Sequence, residues 1–136
     1  MDLDDARRYL RANHRSVLIA RRRDGSPQPS PVVHGVDDEG RVLVSSREPA
    51  CKVRNLRRDP RVTICAFPDA FFGTWVVADG RATIVPLPEA MDQLVFLYRQ
   101  AGGEHPDWDE YRRAMESERR VIIRVDLQAA GPDMAG

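Results

Sequence analysis

Closely spaced turn signals constrain this chain most. Asp24-Gly25-Ser26-Pro27, Asp37-Asp38-Glu39-Gly40 and Pro68-Asp69 leave only strand-sized apolar and β-branched runs between them. Short runs joined by tight turns build antiparallel hairpins, because a parallel pair needs a long crossover. The runs are SVLIARRR from Ser16, then residues 28–36, 41–45, 61–67, 73–85 and 120–127. In the second, Pro29 and Pro31 each remove a ladder donor. That strand is therefore expected at an edge, or opening onto a cavity. Asp79-Gly80 inside the long fifth run predicts a bulge rather than a hairpin.

Helices are predicted around these strands. Asp2 caps a helix over 3–13, with Leu3, Ala6 and Leu10 on one face. Pro49 stands where helices begin, and the helix over 50–58 buries Val53 and Leu56 before Asp59-Pro60 stops it. Pro88 opens a third helix that places Met91, Leu94, Val95 and Tyr98 on one side and ends at Gly102-Gly103. Asp107 caps a short fourth helix with Trp108, Tyr111 and Met115. The expected fold is mainly β, an antiparallel barrel with short flanking helices, in one domain over 1–128. The small, polar end over 129–136 is expected to be disordered.

Charge and cysteine use narrow the function. The 21 basic and 21 acidic residues cancel, which argues against a globally basic nucleic-acid binder. No apolar run approaches a membrane span, and the acidic, amphipathic start is not a signal peptide. Cys51 and Cys65 lack metal or redox spacing and read as reduced thiols of a cytoplasmic protein. His14, His34 and His105 are scattered, so no metal site or hydrolase triad is nominated.

Three stretches could carry chemistry. In Ser45-Ser46-Arg47-Glu48-Pro49-Ala50-Cys51-Lys52-Val53-Arg54-Asn55 a strand ends in hydroxyls and a helix begins with a cation in its first turn. Free amides and the helix dipole there attract anions, and Lys52 suits phosphate. From the spacing alone, a solvated basic helix with an ordinary serine cap is the favoured reading. In the proline-bearing strand, Gln28, Ser30 and Val32 alternate onto one face. Such a face suits a flat polar ring that needs a few placed hydrogen bonds, or it is an edge facing water. Phe71-Phe72-Gly73-Thr74-Trp75 could stack on a planar ligand or pack at a core or interface, with packing expected for Phe71 or Phe72.

These residues resemble the flavin and deazaflavin oxidoreductases of the pyridoxamine-phosphate-oxidase-like class. The likeness runs over 16–127. It is carried by Asp24-Gly25-Ser26-Pro27-Gln28, by the Ser45 to Asn55 segment, by Lys52-x-x-Asn55-Leu56-x-x-Asp59-Pro60-x-Val62, and by Asp79-Gly80-Arg81-Ala82. Gly102-Gly103-Glu104-His105-Pro106-Asp107-Trp108 resembles the branch that uses the deazaflavin coenzyme F420. The resemblance implies a split, FMN-binding-like β-barrel and a homodimer with coenzyme sites at the interface. It implies an F420-dependent oxidoreductase moving a hydride to a small organic acceptor. The coenzyme phosphate would lie by Ser45, Ser46 and Lys52, the ring against Gln28, Ser30, Pro31 and Val32, with Asn55 a further polar contact. Trp75 would reach the site from the partner subunit. Relatives carry a basic residue where this chain has Ala50, and Arg47 or Arg54 could replace that charge. The rival expectations are an FMN enzyme on the same fold, a non-catalytic coenzyme carrier, and a nucleic-acid module using the basic helix.

Overall fold

The computed structural model describes residues 1–133. α1 (Leu3–Ala12) leads into β1 (Arg15–Arg21), β2 (Pro27–Val36) and β3 (Val42–Arg47). α2 (Cys51–Arg58) separates these from β4 (Arg61–Phe67) and β5 (Val76–Val85). α3 (Met91–Gly102) and α4 (Trp108–Ser117) precede β6 (Arg120–Asp133). The strands close as an antiparallel barrel in the order β1-β2-β3-β6-β5-β4. The expected order of elements and the mainly β, antiparallel class are both present.

Burial shows why the sheet closes. β1 and β4 alternate, with Leu18, Ala20, Ile64 and Ala66 inside the barrel and Arg15, Arg21 and Arg61 in solvent. β3 and β6 bury both faces. Val42, Val44, Val121 and Ile123 point inward, while Leu43 and Ile122 pack outward under Leu94, Leu97, Tyr111 and Met115 of α3 and α4. The barrel thus has one wall covered by helices and one wall bare.

α1 and α2 stopper the two ends. Leu10 of α1 and Val53 and Leu56 of α2 enter the same interior cluster. α1 is fixed by a buried histidine: Ser16 Oγ donates to His34 Nδ1 at 2.8 Å, and His34 Nε2–H donates to the Leu10 carbonyl at 3.1 Å. Burial lowers the His34 pKa to about 4, so the ring is neutral and both contacts hold. α2 sits where β1 ends and β2 begins, with Arg58 donating to the Arg21 carbonyl at 2.8 Å.

The bulge is where Asp79-Gly80 places it. Asp79 faces Ala129 and Gly80 faces Leu127, so the extra residue is Gln128 on β6. A Cβ on Gly80 would lie 2.4 Å from the Asp126 carbonyl, so only glycine lets the strands approach there.

Several boundaries differ from expectation: α3 begins at Met91, after a turn over 87–90, rather than at Pro88, and β3 runs on to Arg47. β5 begins at Val76 rather than 73, because residues 70–73 form turns and bends leading into it. The tail expected to be disordered from 129 is instead strand as far as Asp133: Ala129, Ala130 and Asp133 pair with Asp79, Ala78 and Val76. The Met1 amine also donates to the Ala130 carbonyl at 3.2 Å. Small residues have weak strand preference, but a long β5 offers backbone partners that outweigh it. Residues 134–136 of that expectation lie outside the described residues.

The barrel is split along β2. β1 pairs with β2 from Pro27 to Val33, whereas β3 pairs with it only at His34, Gly35 and Val36. One edge of β2 is therefore open beside the end of β3 and α2.

Candidate functional site: an open strand edge beside a basic helix

Backbone parity fixes what the open edge offers. The His34 N–H bonds to the His14 carbonyl, and the Ser26 carbonyl accepts from Arg22 N–H. Even-numbered residues of β2 thus turn their backbone groups toward β1, and odd-numbered ones toward the gap. Pro27, Pro29 and Pro31 fall on the gap side, where they have no N–H to give. The edge exposes carbonyl acceptors that suit a ligand with N–H donors and resist a further strand. Of the two expectations for a proline-bearing strand, the open edge is realised: β3 pairs with β2 only from His34 to Val36.

The side chains of the other parity build the wall. Gln28, Ser30 and Val32 lie on one face, opposite Ala20, Leu18 and Ser16. Asn55 Nδ2 donates to Gln28 Oε1 at 3.3 Å, joining α2 to β2. Ser30 Oγ is buried and has no hydrogen-bond partner among the described residues. A buried hydroxyl left unpaired costs about 1–3 kcal/mol, so it marks a position where a ligand contact is worth having.

The start of α2 is unusual. Its N-cap is Ala50, with no side-chain cap bond and no acid in the first turn, where Lys52 stands instead. The first intrahelical bond comes from Val53 N–H to the Ala50 carbonyl at 3.1 Å, so the amides of Cys51 and Lys52 precede it. Those donors and the helix dipole favour an anion. Lys52 lies about 60° round the helix from Asn55, at 100° per residue. The ion pairs bordering α2, Arg57 with Glu48 and Arg61 with Asp59, do not include it. Hydrogen bonding to Arg57 lowers the Glu48 pKa, and hydrogen bonding to Arg61 lowers that of Asp59 to about 2.

Gln28, Arg54 and Asn55 share a cavity of about 600 Å³ with Arg22, Arg23, Cys51 and Arg58. Other expected residues are not brought together. Pro31 and Val32 line a separate cavity of about 460 Å³ toward the far end of β2. Ser45 and Ser46 face opposite ways, so they cannot both serve one phosphate. Ser46 is buried, whereas Ser45 opens into a cavity of about 500 Å³ with Val33, Tyr98, Tyr111 and Arg120. Trp75 precedes Val76, which lies opposite Ala66 near the start of β1, while Gln28 pairs with Ala20 near its end. That is about 13 Å along the strand, so within one chain Trp75 is remote from α2. Arg47 ends β3 opposite Arg120, leaving Arg54 as the cation placed to stand in for the missing basic residue at Ala50. Phe71 and Phe72 are 62% and 84% exposed, so neither packs in the core. Tyr111 is buried, its hydroxyl on the Leu94 carbonyl at 3.0 Å.

Arg22 and Arg23 were not legible as site residues because SVLIARRR reads as the basic end of a strand. The available signal was charge density: two basic runs, Arg21-Arg22-Arg23 and Lys52 to Arg58, flank the connections that meet at this end.

Comparison with known proteins agrees with this geometry. The model of the pyridoxamine 5'-phosphate oxidase family matches residues 3–131. Among solved structures, a conserved hypothetical protein from Mycobacterium tuberculosis superposes with a TM-score of 0.78 at 23% identity, over 96% of this chain and 82% of that one. An F420 reductase superposes at 0.66 and 23% identity, over 88% and 90%. A FAD-binding protein from Mesorhizobium loti superposes at 0.67 and 19% identity, over 100% and 96%. With its split barrel and its open, helix-flanked strand edge, the chain belongs to the pyridoxamine 5'-phosphate oxidase family, whose fold is that of flavin-binding oxidoreductases.

Proposed function

We propose that this protein is an F420-dependent oxidoreductase that passes a hydride between the deazaflavin and a small, electron-poor organic acceptor. The observation that carries the reading is the unpaired, buried Ser30 hydroxyl on a strand edge of carbonyl acceptors, beside an uncapped helix start bearing Lys52. Lys52 and the first amides of α2 hold the phosphate, with Ser46 the hydroxyl on the inward face. Gln28 and Asn55, already bonded to each other, orient the polar rim of the ring, and Ser30 supplies a further hydrogen bond. Val32, on the same face of β2 as Gln28 and Ser30, gives it a van der Waals wall. The chemistry supplied by such a coenzyme is hydride transfer at its central ring carbon; the protein contributes position and exclusion of water. No side chain is assigned as proton donor.

FMN is the second reading. Its ring and phosphate need the same contacts, and a FAD-binding protein shares the fold. The F420 reading is supported by the Gly102 to Trp108 segment and by the fold shared with an F420 reductase.

We also infer a homodimer. The bare wall carries Val33, 54% exposed, and the loop after β4 carries Phe71 and Phe72. A second copy covering this wall would bury that apolar surface and bring the partner's Trp75 toward the site.

The test is a fluorescence titration of coenzyme-free protein with F420 and, separately, FMN, on wild type and Lys52→Ala, followed by an acceptor screen. Tight F420 binding that weakens in the variant supports the reading. Tight FMN binding with poor F420 binding moves the protein to the flavin branch. Failure to bind either ligand refutes the site. F420 binding without turnover of any acceptor would leave a carrier.

A further inference from the structure

The loop between β4 and β5 leads into Trp75 and has few ties of its own. Phe71 and Gly73 both have positive φ, 71° and 143°, and the ladder resumes only at Val76. The bonds inside the loop are local. Phe71 N–H donates to the Pro68 carbonyl at 2.8 Å and Phe72 N–H to the Ala70 carbonyl at 2.9 Å. Asp69 pairs with Arg15 at 3.0 Å, but both side chains are largely exposed, so that pair holds little. With these ties alone, the half-buried Trp75 ring would sample several orientations.

Among the described residues, one side-chain hydrogen bond joins 70–75 to another element. The Tyr9 hydroxyl of α1 donates to the Thr74 carbonyl, one residue before Trp75. The donor is itself well fixed. Its ring packs against the barrel core, and its carbonyl accepts from the Asn13 amide and side chain at 3.0 and 3.1 Å. Burial raises the phenol above its ordinary value, so the hydroxyl keeps its proton. Ala6 and Leu10 are fully buried and anchor α1 without this bond. The bond therefore adds little to the helix and much to the loop.

We propose that Tyr9 is a positioning residue for the coenzyme site of the partner subunit, holding the Thr74 peptide so that Trp75 presents its ring across the interface in one orientation. This inference rests on the coenzyme and homodimer readings above. Setting the ring in advance removes an ordering cost from binding. The bond exists in the free chain, so the coenzyme adds nothing to the amides of α1.

Tyr9→Phe removes the hydroxyl and keeps the packed ring. Thermal melting and sedimentation confirm that each variant is folded and dimeric. Wild type, Tyr9→Phe, Trp75→Leu and Tyr9→Phe/Trp75→Leu are titrated with F420 and with FMN. A lost hydrogen bond cannot shift an equilibrium by more than it was worth, so Tyr9→Phe should weaken coenzyme binding about fivefold. In the Trp75→Leu background the same change should do nothing, because the two residues act as one unit. With fluorotryptophan incorporated, the Trp75 fluorine signal of the free protein is assigned by its loss in Trp75→Leu. It should be single and sharp in wild type and broadened in Tyr9→Phe. Mixed dimers carry Lys52→Ala on one chain, so the intact site belongs to the other. Affinity should fall when Tyr9→Phe is on the Lys52→Ala chain and hold when it is on the other.

Unchanged affinity in Tyr9→Phe or in Trp75→Leu overturns the inference and leaves the coenzyme reading standing. Equal losses in both Trp75 backgrounds make Tyr9 a structural residue and overturn it too. The reverse pattern in the mixed dimers, or a monomeric wild type, overturns the role across the interface. If wild type binds neither F420 nor FMN, the coenzyme reading fails and this inference fails with it.

Discussion

The two helices that stopper the barrel are built to opposite specifications. α1 has Asp2 as N-cap, its side chain accepting from the Asp4 amide, with Asp4 and Asp5 in the first turn and Arg11 in the last. Its charges complement its dipole, and His34 locks it to the wall. α2 has an alanine cap, no first-turn acid, a lysine in its place and basic residues throughout. Both bury apolar residues in the same core, so packing does not explain the difference. One end spends its polar groups on holding the fold. The other leaves donors and cations free, which is the signature of a site that expects an anion.

The largest effect should come from breaking the lock at the α1 end. His34→Leu strands the Leu10 carbonyl and the Ser16 hydroxyl in a dry environment and should cost about 2–4 kcal/mol. Urea unfolding should show this, with coenzyme affinity retained in the folded variant. A stability within error of wild type would mean the histidine is not the lock.

The same residue sets a pH dependence. Its pKa is about 4 in the folded state against 6.5 unfolded, so the unfolded chain binds more protons between these values. Its contribution is complete above pH 6.5 and falls as pH drops toward 4, about 3 kcal/mol in all. Urea midpoints measured across that window should fall more steeply for wild type than for His34→Leu. Parallel slopes would show that another group dominates.

At the α2 end the pattern should reverse. Lys52→Ala should weaken coenzyme binding by about 1.5–3 kcal/mol, the range for a hydrogen bond to a charged group, with little change in melting temperature. A large loss of stability would make Lys52 structural.

The smallest effect comes from exchanging the caps. Asp2→Ala should cost about 0.5–2 kcal/mol of stability and leave binding alone. Ala50→Asp should gain up to about 1 kcal/mol while repelling the phosphate. Gaining both stability and affinity would end the comparison between the two helices.

Local pattern and turn chemistry made most of the fold legible. The alternation of β1 and β4, the capped start of α1 and the Asp79-Gly80 bulge each depend on neighbours in sequence. The strand pairing of Ala129 and Ala130 did not, because it is imposed by β5 rather than by the tail itself. The site was legible in halves. Gln28, Lys52, Arg54 and Asn55 were nominated, but Arg22, Arg23 and Arg58 become site residues only once the barrel brings the β1–β2 turn against α2. Ser45 and Ser46 show the converse. Adjacent strand residues look alike in sequence, yet face opposite sides of the sheet.

Hydrogen exchange of the protein with and without saturating F420 tests the central claim most directly, because it reads both ends in one experiment. The account predicts added protection in residues 28–32 and 50–58 and none in residues 3–12. Protection confined to α1, or to the α3–α4 side around Ser45, would contradict it.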